Sequence, residues 1–267
     1  MFIIHFLKEQ AMRKLNLIIK FFKKIVFLLL ILFCETSFSH EGHSHGPSVV
    51  ASVSFDKSGT LWRVREQQGF VIVDSSNDQG INFSKSINVN TELQKIGTSG
   101  DAKPKIAIGP EGNIYVTWTQ TLSKPYTGYI WFARSKDRGK TFELPQIVHQ
   151  DKSEITHRFD AINVNKDGRI FVAWVDKRDL EKAKLQKKEK EYKGAALYYA
   201  VSENFGESFK IERKIVDSSC ECCRIALTND SKGNIITMWR QLYDKGIRDH
   251  AVAKIDLNDN IAVNRAT

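Results

Sequence analysis

A short motif that recurs along the chain constrains the fold more than any other feature of the sequence. Ser-x-Asp-x-Gly-x-x-Phe occurs at residues 76–83 and 135–142, and residues 202–209 carry a near-copy in which Asn204 replaces the Asp. In such a turn the carboxylate accepts backbone N–H bonds, the Gly adopts a positive φ, and the Phe packs beneath the hairpin. Asn204 keeps the acceptor oxygen without the charge, which favours an architectural role. The motif residues are Ser76, Asp78, Gly80, Phe83, Ser135, Asp137, Gly139, Phe142, Ser202, Asn204, Gly206 and Phe209.

A second pattern recurs ahead of these motifs. A polar turn, a Gly and an alternating apolar strand are found in residues 54–64, 107–118, 163–174 and 228–239. An apolar residue at every second position indicates a strand with one buried face. In the last three segments a Trp follows the Gly by six positions, and we expect Trp118, Trp174 and Trp239 to lie in the core.

Together the two patterns predict units of four antiparallel strands near residues 50–95, 103–150, 157–217 and 222–267. Such units, roughly 45–65 residues long, are typical of β-propeller blades. The predicted fold class is therefore all-β, a β-propeller of four-stranded antiparallel blades with about four blade units. The last unit lacks the motif and stops at Asn-Arg-Ala-Thr, so we expect a C-terminally incomplete propeller, with a small propeller as the alternative.

The N-terminal segment has the features of an export signal. Lys20, Lys23 and Lys24 precede an apolar run from Ile25 to Phe33. This run is too short for a membrane span, which needs about 20 apolar residues. A basic lead, a short apolar centre and the small-x-small sequence at 37–39 are typical of a signal peptide.

These features divide the chain into a signal peptide (1–39), a His-rich mature tail (40–49) and the propeller (50–267). We expect an exported protein, periplasmic or secreted, with no transmembrane span in its mature form. A lipid anchor on Cys34 is the alternative, although Phe33 stands where a lipoprotein signal requires a small residue.

The positive charge of the chain does not indicate a nucleic acid partner. The formal net charge is +9. Much of the excess lies in the signal peptide and in residues 177–193, which hold eight basic and four acidic residues. A mixed run of this kind is typical of a solvated loop or a short exposed helix.

The Ser-x-Asp-x-Gly-x-x-Phe turn inside a four-stranded repeat resembles the Asp-box (BNR) repeat of the sialidase family, over about residues 50–267. Local stretches such as Cys-Glu-Cys-Cys-Arg-Ile-Ala resemble a bacterial group of exported sialidase-like propellers. The resemblance implies a six-bladed propeller with three carboxylate-binding arginines, a Tyr–Glu nucleophile pair and an Asp acid. It makes Arg158, Asp160 and Arg224 the candidate catalytic residues, with surface salt bridges or turn contacts as the alternative. The family's Phe/Tyr-Arg-Ile-Pro stretch and an assignable Tyr–Glu pair are missing from the sequence.

Loop ends just beyond repeated strands are where propellers form ligand sites, and this position predicts five ligand-binding candidates. They are Asp176, Arg178, Arg240, Asp249 and His250. We predict an exported binding module for a glycan, a partner protein or a metal ion. The alternative is an exo-alpha-sialidase-like glycoside hydrolase acting on acidic sugars. The sequence does not indicate an oligomeric state.

Three cysteines lie within four residues at Cys220, Cys222 and Cys223. If Cys34 leaves with the signal peptide, an odd number of thiols remains. A local or non-native disulfide, a copper or zinc site and a redox-reactive thiol are the open alternatives. His157 and His250 are candidate additional metal ligands.

A second cluster of metal-ligand type begins the predicted mature chain, with His40, His43 and His45. An N-terminal His offers an amine and an imidazole to one copper ion. Short His-rich tracts are also found as disordered tails that scavenge metal weakly. Copper or zinc is therefore the cofactor prediction for both clusters.

Overall fold

The computed structural model describes Lys20 and residues 50–99 and 102–266. The predictions for the signal peptide, for Cys34 and for His40, His43 and His45 lie outside the described residues. Within the described part of the chain, no helix is both long and apolar enough to cross a membrane.

The described residues form sixteen strands. The strands are β1 (Ala51–Phe55), β2 (Leu61–Gln67), β3 (Phe70–Ser76), β4 (Ile87–Asn88), β5 (Lys105–Ile108), β6 (Ile114–Thr121), β7 (Gly128–Ser135), β8 (Gln146–Ile147), β9 (His157–Val164), β10 (Ile170–Asp176), β11 (Ala195–Ser202), β12 (Arg213–Ser219), β13 (Ala226–Asn229), β14 (Ile235–Leu242), β15 (Arg248–Ile255) and β16 (Ile261–Arg265). Helix α1 (Arg178–Leu185) has no buried residue, as expected for a solvated segment. Single 3-10 turns form at Glu189–Glu191 and Asp244–Gly246.

The strands pair in chain order as antiparallel sheets, and we number the units one (β1–β4), two (β5–β8), three (β9–β12) and four (β13–β16). This confirms the prediction of an all-β chain of four-stranded antiparallel repeats. The sequence did not predict that units three and four would join into one eight-stranded sheet. They join because the chain leaves β12 beside the end of β14, where Ser219 pairs with Gln241.

The first strands of consecutive units lie next to one another, in the order β1, β5, β9 and β13. The core lies between the units, as in a propeller whose sheets stack face to face around an axis. Trp118, Trp174 and Trp239 are buried at these contacts, as their shared repeat position predicts.

Antiparallel pairing gives the molecule two distinct faces. The turns between first and second strands, and between third and fourth strands, meet on one side, which we call the repeat face. The loops between second and third strands, and the connections between units, meet on the opposite side, which we call the loop face. The repeated motifs lie on the repeat face, and the 177–193 segment lies on the loop face.

The three copies of the motif form the same turn on the repeat face. In the second copy, Ser135 Oγ accepts the Gly139 N–H at 2.8 Å and donates to Asp137 Oδ1 at 2.7 Å. Asp137 Oδ1 also accepts the Thr141 N–H at 2.9 Å. Asn204 makes the equivalent bonds to Ser202 and to the Ser208 N–H.

The motif glycines also let each unit approach the preceding one. A Cβ added to Gly139 would stand 2.6 Å from the Trp62 ring, and one added to Gly206 would stand 2.5 Å from the Phe132 ring. Both contacts reach into the preceding unit, and both glycines have a positive φ. Any larger residue would therefore strain the backbone and separate two units.

Candidate functional site

Two predicted catalytic residues meet on the loop face. The Arg158 guanidinium carbon lies 4.7 Å from the centre of the Phe159 ring, and that of Arg224 lies 4.6 Å from the same centre. Tyr126, in the loop after β6, has its ring centre 5.5 Å from the Arg158 guanidinium carbon. We call Tyr126, Arg158, Phe159 and Arg224 the arginine–aromatic cluster. Burial, and to a smaller degree the charge of Arg224, lowers the pKa of Arg158.

A local distortion of β9 positions this cluster. The register of β9 against β10 shifts between Ala173 and Val175, which is a β-bulge. Phe159 lies in the bulge with φ of 56°, a conformation that aromatic residues rarely adopt. Bulges redirect side chains and are frequent next to functional sites. Here the bulge directs Arg158 and Phe159 towards the loop that carries Arg224.

The third predicted catalytic residue, Asp160, lies beneath the surface. It is 3% exposed, and its Oδ1 accepts a hydrogen bond from Thr119 Oγ1 on β6 at 3.0 Å. Its Oδ2 has no hydrogen-bond partner among the described residues. Burial raises the pKa of Asp160. A raised pKa suits a general acid, but the carboxyl lies between β6 and β9 instead of on the open side of the cluster.

A Tyr–Glu pair that sequence reasoning missed lies on the same face. Tyr192 Oη donates to Glu221 Oε1 at 3.3 Å, and Lys177 Nζ contacts the other carboxylate oxygen. Burial, followed by the charge of Glu221, raises the pKa of Tyr192. The Lys177 N–H donates to Thr156 O, two residues before Arg158, and Glu221 precedes Arg224 by three residues. No sequence pattern links Tyr192 to Glu221, because both belong to irregular loops.

A cleft of about 740 Å³ opens beside the cluster, between the loops 124–127 and 151–156 and helix α1. Ligand pockets in proteins are typically about 300–1,000 Å³, so its size suits an oligosaccharide or a short peptide. Tyr126 belongs to both the cleft and the cluster. The charged residues lining the cleft are Lys124, Asp151, Glu154, Lys177, Arg178, Glu181, Lys182 and Lys184.

Two predicted ligand-binding residues pair with each other. Asp176 is fully buried, and Arg178 donates to its two carboxylate oxygens at 3.0 and 2.7 Å. Arg178 also donates to Glu212 at 2.8 Å, and the Trp174 indole N–H donates to Asp176 at 2.9 Å. Burial alone would lower the pKa of Arg178, but the hydrogen bonds to Asp176 and Glu212 raise it. The ion pair therefore lies beneath the cleft, with Arg178 lining the cleft and Asp176 shielded from solvent.

A stacked pair of histidines lies beside this ion pair. The rings of His149 and His157 are fully buried, and their centres are 4.0 Å apart. His149 Nε2 accepts the Ile130 N–H at 3.1 Å. Burial lowers the pKa of both imidazoles, that of His149 to about 2. His157 Nε2 has no hydrogen-bond partner among the described residues and lies 3.6 Å from Asp176 Oδ2. Both rings are therefore neutral near pH 7.

The other three predicted ligand-binding residues lie on β14 and β15. Arg240 and His250 are opposite each other in the strand register and are exposed. Asp249 forms an ion pair with Arg265 at 2.8 Å. The Arg240 carbonyl accepts the Cys220 N–H at 2.9 Å, which places this group beside the cysteines.

The three cysteines share one turn, residues 220–223, which we call the cysteine turn. All three are free thiols. Although burial raises it, hydrogen bonds within the turn lower the pKa of Cys220. Burial and the neighbouring Cys220 thiol raise the pKa of Cys223 to about 11. Neither His157 nor His250 joins the group of thiols whose ligand atoms lie within 4.8 Å of one another.

No family model matches this chain, and no curated protein matches it. Among solved structures, the GH93 alpha-L-arabinofuranosidase of Fusarium graminearum in complex with arabinobiose has a TM-score of 0.54 at 12% identity, over 81% of this chain and 66% of that one. Hadza microbial sialidase Hz136 has a TM-score of 0.53 at 16% identity, over 81% of this chain and 46% of that one. The endo-arabinase from Bacteroides thetaiotaomicron has a TM-score of 0.50 at 10% identity, over 82% of this chain and 81% of that one.

The present chain therefore spans less than two thirds of the length of the first two enzymes. At these identities the likeness shows the fold alone, and it confirms the prediction of a β-propeller. The six-bladed type and the number of blades stay predictions.

Proposed function

We propose that this protein is a binding module for acidic glycans, with the arginine–aromatic cluster as its carboxylate site. The observation that carries the proposal is the placement of Arg158 and Arg224 against one ring, that of Phe159. The two arginines come from segments at the start of adjacent inner strands. They belong to separate parts of the chain, and the fold brings them together.

The chemistry of the cluster favours a carboxylated sugar over a neutral one. A guanidinium binds a carboxylate through two parallel hydrogen bonds, which gives both affinity and orientation. The exposed Tyr126 adds the aromatic surface that is frequent in ligand pockets, while the buried Phe159 supports the two guanidinium groups from below. The adjacent cleft of about 740 Å³ has room for further sugar residues. The nearby Glu221 carboxylate is neutralised by Lys177, so the charge available to a ligand is positive.

Calorimetric titration with a sialylated trisaccharide, and with lactose as the neutral match, tests the proposal. We expect the sialylated sugar alone to bind. Arg158→Ala and Arg224→Ala should each weaken binding by about 10- to 100-fold, because a hydrogen bond to a charged group contributes about 1.5–3 kcal/mol. Arg138→Ala, which changes an arginine on the repeat face, is the matched control and should bind like the wild type.

Two results would contradict this proposal. One is equal binding of the sialylated and the neutral sugar by the wild type. The other is unchanged affinity in the Arg158→Ala and Arg224→Ala variants, both shown to be folded by circular dichroism. If no carboxylated sugar binds, a partner protein becomes the occupant to test on this face.

Hydrolysis of acidic glycosides is the second candidate function, and the Tyr192–Glu221 pair favours it. A phenol becomes a nucleophile when a neighbouring base accepts its proton, and Glu221 is within hydrogen-bond distance. Release of a fluorophore from a sialoside, abolished in both Tyr192→Phe and Glu221→Gln, would support the enzyme. Binding without release in the wild type would support the binding module.

A further inference from the structure

The cysteine turn contains the one group of three or more His, Cys, Asp or Glu ligand atoms that are mutually close in the described part of the chain. The Sγ atoms of Cys220, Cys222 and Cys223 all lie within 4.8 Å of one another. Cys220 Sγ is 2.7 Å from Cys223 Sγ and 3.6 Å from Cys222 Sγ. Three sulfurs around one ion at metal–sulfur distances of about 2.3 Å stand about 4 Å apart. Small side-chain rotations therefore convert the observed arrangement into a ligand set.

The backbone holds the turn in place and leaves one side open. The Cys220 N–H donates to Arg240 O at 2.9 Å, which fixes the turn to β14. The Cys223 N–H donates to Cys220 O at 3.2 Å, which closes the turn. Cys220 is buried while Cys222 is exposed, so an ion can reach the sulfurs from solvent.

The composition of the group selects the metal. Structural zinc takes four ligands in a tetrahedron, whereas this group holds three thiols and no imidazole or carboxylate. Soft thiolates suit Cu(I), zinc and iron–sulfur clusters, and the absence of a fourth ligand from this group favours Cu(I) over zinc. The side chains of Arg240 and Arg248 lie close to Cys223 and Cys220, respectively, and offset the negative charge of bound thiolates.

We propose that the cysteine turn is a Cu(I) site in which Cys220, Cys222 and Cys223 supply three thiolate ligands. Binding releases the three thiol protons and needs no oxidant or reductant, because the ion enters and stays as Cu(I). Cu(I) binding uses different side chains from glycan binding, but the two sites adjoin, because Arg224 Nη1 donates to Cys222 O at 2.5 Å.

Anaerobic titration of the full, reduced chain with Cu(I) against a chromogenic Cu(I) chelator tests the site. We expect one Cu(I) per chain and three sulfur neighbours by X-ray absorption. Cys220→Ser, Cys222→Ser and Cys223→Ser should each weaken Cu(I) binding by more than about 100-fold, since even an outer-shell change costs about 10- to 100-fold. Cys222→Ser is the most informative of these, because the side chain is exposed and its loss should leave the fold intact.

A matched control variant separates this site from the other cysteine of the chain. Cys34→Ser, which removes that fourth cysteine, should bind Cu(I) like the wild type. Loss of Cu(I) in this control, or unchanged binding in Cys222→Ser, would overturn the proposal. Zinc retained in place of Cu(I) would overturn it too. So would a Cys220–Cys223 disulfide in the purified chain together with no Cu(I) uptake after reduction.

Discussion

The repeat face and the loop face of this molecule are built from different kinds of interaction. On the repeat face the same Ser, Asp or Asn, and Gly make the same short-range hydrogen bonds in three units. On the loop face the contacts join segments far apart in sequence, such as Arg178 with Glu212 and Arg158 with Tyr126. No other unit of the described residues has an equivalent of these two contacts.

Structure and function are therefore encoded at different kinds of position in this repeat protein. A turn that each unit needs is encoded in the sequence of each unit, so its residues recur and predict the fold. A site is needed once, so its residues stand at unrepeated positions. In this chain those positions include a strained Phe, two stacked histidines and an irregular insertion.

Removing a buried charge on the loop face should have the largest effect. Asp176→Ala leaves the Arg178 guanidinium, which is 13% exposed, without its main partner. Breaking a buried ion pair costs about 3–5 kcal/mol, and urea denaturation should show a loss of stability of this size. The matched control is Asp249→Ala, which removes a more exposed ion pair and should cost less than about 1 kcal/mol. Similar losses in the two variants would show that the Asp176–Arg178 pair is not structurally special.

The contact of Gly206 with the preceding unit should give the next largest effect. Gly206→Ala places a Cβ against Phe132 of the preceding unit at positive φ, and should cost about 2–4 kcal/mol through backbone strain and overpacking. Gly80→Ala has the same φ sign, but its nearest contact would be 3.4 Å, within its own unit. It should cost about 1–2 kcal/mol. Equal costs in thermal or urea denaturation would mean that the motif glycines do not serve the contact between units.

The stacked histidines should make the loop face sensitive to acid. Their pKa values in the folded protein lie below the unfolded value of about 6.5. The unfolded chain therefore binds more protons as the pH falls below 6.5, and stability falls with it. The expected slope is up to about 1.4 kcal/mol per pH unit for each histidine. Urea denaturation at intervals of about one pH unit between pH 7.5 and 5.5 would measure this slope of the unfolding free energy.

Two variants identify the source of that slope. His149→Gln keeps a hydrogen-bond acceptor and donor but cannot titrate, so the slope should drop by about half. His250→Gln changes an exposed histidine on β15 and should leave the slope as it is in the wild type. An unchanged slope in His149→Gln would assign the acid sensitivity to other groups.

The smallest effect is expected for a charge change inside the repeated turn. Asn204→Asp restores the acceptor used by the other two copies and should change stability by less than about 0.5 kcal/mol at pH 7. Asn204→Ala removes the bonds to Ser202 and Ser208 and should cost about 1 kcal/mol. A large gain from Asn204→Asp would mean that the charge itself stabilises the turn.

Much of the fold was predictable from the sequence, because strand alternation and turn residues are local signals. The predicted antiparallel four-stranded repeats are found in the structure, and the three repeat tryptophans are buried. The resemblance drawn from the sequence also grouped Arg158 and Arg224 as candidates for one site, and the structure brings their side chains against one ring.

The missed features depend on tertiary packing. The bulge at Phe159 comes from a register shift that no local pattern encodes. Tyr192 and Glu221 meet only because the insertion after β10 folds back towards the cysteine turn. The sequence likewise did not predict that Asp176 and Asp160 are buried. A position at or near a strand end does not tell whether the side chain faces solvent or the interior.

The pairing of Ser219 with Gln241 has a consequence for how the molecule opens. Gln241 also accepts the Trp239 indole N–H at 2.7 Å and donates to Asp217 O at 2.7 Å. These bonds connect the end of β12 to β14. Units three and four should then exchange their amide hydrogens as one cooperative foldon. The cysteine turn directly follows β12, the strand that Gln241 holds against β14. Its sulfurs should therefore stay together through local fluctuations and separate only when both units unfold.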